Sequence, residues 1–340
     1  MTASEASPVA SLVEHVASTP ERVRVAVVQA EVAPTLAAGL DRTVALTHDA
    51  ATRGASLVVF PETWLPGYPA WLDVCRDVAL WDHAPVKTVF RRLVEESVAL
   101  PSAAASTLSM LARDTNTTLV IGVVERVNEG KGQGTLYNTI LTFGADGVLL
   151  NRHRKLVPTY TERLLWGPGD ATGLRAVATP AGRVGALVCW EHWMPLARQA
   201  LHDAGEDVHV ALWPTVHEMH QVASRQYAFE GRCFVLAAGS LMRASSLPPE
   251  LEWHPSRVSS ADQRVLRGGS AIIGPDGAYV AGPVFDEPAL IVADIELGRV
   301  REERMSLDVA GHYGRPDIFE FRVRAAATVT NAGEGSVARP

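Results

Sequence analysis

Short apolar runs of strand length alternate with longer segments of helical period along most of this 340-residue chain. The first unit runs from VRVAVVQA (23–30) through a helical stretch over 36–53 to SLVVFPE (56–62). Further strands are predicted at TTLVIGVVER, DVHVALWP, CFVLAAGS and ALIVADIEL, with helices over about 194–203 and 218–231. Strands that alternate with helices predict an α/β fold in which helices cover the sheets.

The middle of the chain predicts one long helical region and several hairpins. The helical region covers roughly residues 85–115. Hairpin turns are predicted at Ala-Asp-Gly in TFGADGVLL, at Pro180–Gly182, and at Pro-Asp-Gly in IIGPDGAYV. We expect one domain over residues 21–324, flanked by flexible segments at 1–20 and 325–340, where small and polar residues dominate.

Composition excludes several classes of protein. A formal net charge of -7, with only the short basic run RHRK at 152–155, offers no face for nucleic acid. No apolar stretch approaches the roughly 18 uncharged residues of a membrane span, and acidic residues occupy the N-terminal segment where a signal peptide would be basic. We therefore expect a cytoplasmic protein with neither nucleic-acid nor membrane partners. The 3 cysteines have no metal-ligand spacing, which argues against a disulfide framework and a zinc site.

Three chemically capable residues stand where predicted strands end. Cys189 closes RVGALVC, Glu62 closes LVVFPE, and Lys155 closes VLLNRHRK. Taken singly, each has an ordinary reading: a cysteine packed as a small apolar residue, a capping glutamate and a solvated lysine. Taken together, their shared position predicts that one sheet edge brings them into a common site, with the thiol as nucleophile.

The segments around these residues resemble motifs of the nitrilase superfamily, the carbon-nitrogen hydrolases, and of its true nitrilase branch in particular. They are FPETWLPGYPAW, HRKLVPTYTERLLWGPGD, VCWEHWMPLARQAL and GHYGRPDIF, and the resemblance runs from about Val23 to Phe319. It implies a four-layer α-β-β-α sandwich. It also implies roles for four residues: Glu62 as general base, Lys155 as stabiliser of anionic intermediates, Cys189 as nucleophile and Glu162 as a second, positioning glutamate.

The resemblance further implies an enzyme that hydrolyses an organic nitrile to a carboxylic acid and ammonia through a covalent thioimidate and thioester. A cyanide dihydratase or an amidase of the same superfamily is the alternative; an inactive scaffold is disfavoured by the intact glutamate, lysine and cysteine. No cofactor and no metal are expected, and relatives form dimers or longer spirals, so a homo-oligomer is expected. The residues predicted to contact substrate are Tyr68, Tyr160, Trp190, His192 and Trp213.

Overall fold

The computed structural model of the chain describes residues 21–324, which form two β-sheets and seven α-helices. The strands are β1 (Arg22–Gln29), β2 (Leu57–Val59), β3 (Val98–Ala99), β4 (Thr118–Arg126), β5 (Leu136–Phe143), β6 (Leu149–Arg154), β7 (Val177–Thr179), β8 (Gly182–Val188), β9 (Val208–Leu212), β10 (Phe234–Ala238), β11 (Leu241–Arg243), β12 (Arg264–Ile273), β13 (Tyr279–Phe285) and β14 (Ala289–Glu296). The helices are α1 (Leu36–Thr52), α2 (Trp71–Val74), α3 (Ala84–Glu95), α4 (Ala103–Thr115), α5 (Pro195–Asp203), α6 (Glu218–Gly231) and α7 (Gly298–Glu303).

Each sheet has a parallel centre and antiparallel edges. The first follows the order β14-β1-β2-β4-β5-β6, with β3 added beside β4, and β1, β2 and β4 run parallel. The second follows β11-β12-β10-β9-β8-β7, with β13 beside β12, and β8, β9 and β10 run parallel. Parallel neighbours require crossover connections. Helices α1, α5 and α6 supply three of them, and the segment containing α2, α3 and α4 connects β2 to β4.

The alternation of side chains along β1 shows how the layers stack. Val23, Val25 and Val27 join one buried cluster with residues of β8, β9 and β10, so this face of the first sheet packs on the second sheet. Ala26 and Val28 point the other way, into a cluster with α1 and α4. Helices α5 and α6 contribute to the cluster of the second sheet. The prediction of an α/β sandwich with helices outside two sheets is confirmed.

The predicted helical region over residues 85–115 is divided in the structure into two helices, α3 and α4. Between them Val98 and Ala99 pair with β4, and Pro101 follows directly after Leu100. A proline lacks the N–H that a helix interior requires, and it disfavours helical backbone at the residue before it. Helical periodicity on both sides concealed this interruption.

The predicted hairpins at Ala145–Gly147, Pro180–Gly182 and Pro275–Gly277 are confirmed by the antiparallel pairs β5–β6, β7–β8 and β12–β13. The segments predicted to be flexible, 1–20 and 325–340, lie outside the described residues, and the division into a single domain stays a prediction. Among residues 21–324, no helix has the length and hydropathy needed to cross a bilayer.

Candidate active site

The three residues at strand ends meet, but not at one sheet edge. Glu62 follows β2 and Lys155 follows β6, both in the first sheet, whereas Cys189 follows β8 in the second. The expectation of a single edge is therefore wrong, because the two sheets pack face to face and strand ends from both reach the same place. Glu62, Lys155 and Cys189 are 0%, 1% and 4% exposed, so all three belong to the interior.

Each of the three loops contains a residue with left-handed backbone. Thr63 has φ 44°, Tyr160 has φ 38° and Cys189 has φ 51°. Such conformations are unfavourable for residues with a Cβ, and they cluster at functional sites where the surrounding structure holds them. Immediately after β8, the chain therefore turns sharply at Cys189 and enters a short 3-10 helix, Cys189–Trp193.

Glu62 is held close to the strand that supports it by a glycine. A Cβ added to Gly122 in β4 would lie 2.5 Å from Thr63 N and 2.8 Å from Glu62 Cα, and it would also overlap Pro61 O. Only a residue without a side chain lets the loop carrying Glu62 cross β4 at this distance.

A buried carboxylate–ammonium–carboxylate cluster forms the centre of the site. Lys155 Nζ donates to Glu162 Oε2 at 2.7 Å and to Glu62 Oε1 at 3.3 Å. Asn138 Nδ2 also donates to Glu62 Oε1, at 2.6 Å. The other oxygen, Glu62 Oε2, is buried and accepts no hydrogen bond from residues 21–324. One oxygen of Glu62 is thus fixed by donors, while the second is left available to take a proton.

Glu162 is oriented by its own loop and by a tyrosine. It lies in the short 3-10 helix Tyr160–Leu164, where the Thr159 N–H donates to its Oε2 at 2.7 Å. The Tyr68 hydroxyl donates to its Oε1 at 3.0 Å. Because all of these partners and Lys155 donate, Glu162 holds the ammonium as a carboxylate.

Burial and neighbouring charges set the protonation states of the site. Burial raises the pKa of Glu62 to about 7, although Lys155 opposes the shift. Burial alone would lower the pKa of Lys155, but the charges of Cys189, Glu62 and Glu162 hold it well above its ordinary value. Burial, followed by the charge of Glu62, raises the pKa of the Cys189 thiol well above its ordinary value. At neutral pH the cluster therefore holds a thiol, an ammonium and a carboxyl group that is close to its titration midpoint.

A third buried glutamate joins the lysine and cysteine loops. Glu191 accepts from the Val188 N–H and the Leu156 N–H, both at 2.7 Å, and its Oε2 lies 2.9 Å from His153 Nε2. Burial alone would raise the pKa of Glu191, but His153 and the two backbone donors lower it. Glu191 thus fixes the segment before Cys189 against the segment after Lys155.

Sequence reasoning did not find the supporting roles of Asn138, His153 and Glu191. Polar residues inside the apolar strands β5 and β6 were the only signal for Asn138 and His153, because strand pairing, not spacing along the chain, brings them to the site. The carboxylate of Glu191 was visible beside Cys189, but its partners are backbone N–H groups of two separate loops.

A cavity of about 570 Å³ opens onto Cys189 and Glu162. Three of the residues predicted to contact substrate, Tyr68, Tyr160 and Trp190, line it. Glu62 and Lys155 do not line it and are buried, and Lys155 contacts both Glu62 and Glu162. The sulfur-bearing residue is therefore reached from outside, while its charged partners are kept from bulk water.

His192 and Trp213 were predicted to contact substrate, but neither lines the cavity. Both are buried, at 2% and 0% exposure, and their rings stack at a centroid distance of 4.7 Å. His192 faces away from the cavity because its Nδ1 lies 2.7 Å from the carbonyl oxygen of Cys189. This geometry does not support a contact of either residue with substrate.

Within residues 21–324, no group of three or more His, Cys, Asp or Glu side chains is arranged to hold a metal ion.

Comparison with known proteins identifies the family of the chain. The carbon-nitrogen hydrolase family profile matches residues 24–305. A bifunctional nitrilase/nitrile hydratase of Lupinus angustifolius is 38% identical over 84% of this chain and 81% of its own length. An aliphatic nitrilase of Sinorhizobium fredii is 37% identical over 92% of this chain and 99% of its own.

A solved member of the nitrilase superfamily from Saccharomyces cerevisiae superposes with a TM-score of 0.65. It is 20% identical, with 87% of this chain and 97% of that one covered, and it shares the fold. The range matched by the family profile covers most of the chain and includes the positions of Glu62, Lys155 and Cys189. The chain therefore belongs to the carbon-nitrogen hydrolase family.

Proposed function

We propose that the protein is a nitrilase that converts an organic nitrile and two waters to a carboxylic acid and ammonia, with Cys189 as the nucleophile. The observation that carries the proposal is the buried Glu62–Lys155–Glu162 cluster, whose charges act on a thiol that lines an open cavity. Relatives that are 37% and 38% identical over most of the chain are named as nitrilases, which supports a nitrile as the substrate class.

In the first half-reaction Glu62 takes the proton of the Cys189 thiol as the sulfur adds to the nitrile carbon. Its free Oε2 and its pKa of about 7 suit this role, since a base works best with a pKa near the working pH. One C–N π bond breaks, its electron pair moves to nitrogen, and the proton held by Glu62 is delivered there. The product is a neutral thioimidate, and Lys155 lowers the energy of the anion formed on the way.

In the second half-reaction two waters enter in turn. Glu62 removes a proton from the first as its oxygen adds to the thioimidate carbon; the nitrogen is protonated, ammonia leaves and a thioester remains. The second water adds to the thioester in the same way, the C–S bond breaks and the carboxylic acid leaves. The sulfur recovers its proton from Glu62, so the enzyme returns to its starting state.

The test is ammonia release from a panel of aliphatic, aryl and arylaceto nitriles, with the matching amides and cyanide as the alternatives. We expect nitriles to be turned over and Cys189→Ala to release no ammonia while keeping the wild-type circular dichroism spectrum. Cys233→Ala is the matched control, since Cys233 is also a buried cysteine but lies in the core of the second sheet. Turnover of amides alone would refute the nitrilase assignment, and turnover of cyanide alone would favour a cyanide dihydratase.

We also propose that the protein is a homo-oligomer assembled through the outer face of α5 and α6. This face exposes Leu196, Met219, Val222 and Phe229, which are 69%, 58%, 48% and 49% exposed. The three residues of α6 share one side of the helix, and large exposed apolar patches favour association. Sedimentation velocity should find a dimer or larger species that Phe229→Glu shifts towards the monomer; an unchanged distribution would contradict this interface.

A further inference from the structure

A row of buried polar side chains runs from the loop between α5 and β9, and from β9 itself, to the backbone of Cys189. Glu206 Oε2 lies 2.9 Å from His209 Nδ1, and His209 Nε2 lies 3.0 Å from His192 Nε2. His192 Nδ1 in turn lies 2.7 Å from the carbonyl oxygen of Cys189. Glu206, His209 and His192 are 1%, 0% and 2% exposed, so these contacts are shielded from water. Nothing in the catalytic sequence above uses them.

The direction of each hydrogen bond can be assigned by counting protons. A backbone carbonyl only accepts, so His192 Nδ1 must carry a proton. The pKa of His192 is held well below its ordinary value by burial and then by the charge of His209, so its ring is neutral and its Nε2 is bare. His209 Nε2 must then donate to His192, and His209 Nδ1 must donate to the carboxylate of Glu206. With Glu206 as a carboxylate, each of the three contacts then holds one proton, and His209 donates from both of its ring nitrogens.

The charges around Glu206 agree with this assignment. Burial alone would raise the pKa of Glu206, but His209 and His202 lower it to about 2, so it is a carboxylate. The hydroxyl of Tyr227 also donates to it. A buried imidazolium is stable only beside such a counter-ion.

A glycine in the neighbouring strand β8 leaves space for Glu206 beside His209. Gly185 in β8 is the register partner of His209 in β9, and a Cβ at Gly185 would overlap Glu206 Oε2. The glycine in RVGALVC is therefore part of the same arrangement.

The contact between His192 and the Cys189 carbonyl fixes the orientation of the Cys189–Trp190 peptide. In a planar trans peptide the C=O and the N–H point in opposite directions. Because His192 holds the Cys189 carbonyl inside the core, the Trp190 N–H of the same peptide is turned the other way, and it favours the thiolate of Cys189. This N–H is therefore directed at the atoms that react. Trp213 stacks on the His192 ring and keeps its plane fixed.

We propose that Glu206, His209 and His192 form a buried relay that orients the Cys189–Trp190 peptide, so that the Trp190 N–H is aimed at the sulfur and the anion formed beside it. Glu206 and His209 are positioning residues, since they act only through His192. The proposal deepens the proposed nitrilase function and rests on it for the reaction that the relay serves.

Two amide substitutions of His209 separate the relay from a general packing role. Asn places its side-chain N–H₂ near the Nδ1 position and Gln near the Nε2 position, so only His209→Gln keeps a donor towards His192. We expect kcat to fall about 100-fold in His209→Asn, the loss typical of a misplaced reacting group, and clearly less in His209→Gln, with KM changed little in both. His202→Gln is the control, because His202 contacts the same Glu206 carboxylate at 3.6 Å from outside the relay. Equal losses in all three variants would overturn the proposal.

The proton pattern can be measured in the wild-type protein without any substitution or substrate. Nitrogen-15 NMR of histidine-labelled protein should show both ring nitrogens of His209 protonated, and His192 protonated at Nδ1 alone. A His192 protonated at Nε2, or a His209 with a bare nitrogen, would overturn the relay even if the enzyme is active. Absence of nitrile turnover by wild-type protein would instead refute the proposed function, and the NMR result would still decide the hydrogen-bond directions.

Discussion

The sharpest test of the site alters a residue that has no side chain. In Gly122→Ala the new Cβ would lie 2.5 Å from Thr63 N and 2.8 Å from Glu62 Cα. Ordinary van der Waals contact begins at about 3.4 Å, so the loop carrying Glu62 must move by at least about 0.9 Å or β4 must yield. The atoms in the way are backbone, which cannot rotate aside. A displacement of about 1 Å at a catalytic group costs about 100-fold in rate, and overpacking a core costs about 1–3 kcal/mol of stability.

We therefore expect kcat/KM for the best nitrile to fall about 100-fold in Gly122→Ala, while urea unfolding shows a loss of about 1–3 kcal/mol. Gly298→Ala is the matched control: its Cβ would meet no atom closer than 3.4 Å, and it begins α7, far from Glu62 in the chain. Ammonia release and unfolding curves of both variants decide the point. Wild-type kinetics in Gly122→Ala would refute the close packing of the Glu62 loop on β4.

Three further outcomes are expected. Glu62→Gln should lower kcat by at least about 100-fold, the usual contribution of a general base, and unimpaired ammonia release would remove Glu62 from the mechanism. Because burial raises the pKa of Glu62 to about 7, kcat/KM should fall as the pH drops through 7, and a profile that is flat from pH 5 to 8 would contradict a base with this pKa. Glu191→Gln places an amide against the N–H groups of Val188 and Leu156 and should cost about 2–3 kcal/mol in urea unfolding; an equally stable variant would contradict the link between the two loops.

The raised pKa of Glu62 also sets the sign of a stability effect. A carboxyl group whose pKa is higher in the folded protein than its ordinary 4.5 binds its proton more tightly when folded. The stabilisation is complete below pH 4.5 and is lost as the pH rises through 7. The window in which Glu62 becomes an effective base is thus the window in which it opposes folding.

The sequence predicted the elements of this fold well where the hydrophobic period was uninterrupted. Helix α6 was placed at its observed limits, and all three glycine-containing turns lie between paired strands. Within 85–115 the prediction missed the break between α3 and α4, where Pro101 follows Leu100 and the two residues before Leu100 pair with β4. The periodicity of apolar residues identifies the type of a long element. A two-residue strand has no such periodicity, because it is defined by its pairing with residues far along the chain.

For the site, the motifs indicated the candidate catalytic residues but not the residues that hold them in place. Lys155 contacts both Glu62 and Glu162, as the resemblance led us to expect. His192 was placed in the substrate cavity because it lies three residues after Cys189. A 3-10 turn there directs its ring inward to the Cys189 carbonyl instead. Sequence proximity to a nucleophile therefore says little about which side of it a residue occupies.

The charge balance of the cluster explains why the cysteine need not be ionised before substrate arrives. Two carboxylates and one ammonium give Glu62, Glu162 and Lys155 a net charge of -1 when all are ionised, so an independent thiolate would add a second buried negative charge. That cost is the physical reason for the raised pKa of Cys189. Moving the thiol proton to Glu62 keeps the total at -1, because one negative charge replaces another. In the proposed mechanism the thiolate therefore forms by transfer of its proton to Glu62 as the sulfur attacks. The net charge of the buried site stays at -1 during this transfer.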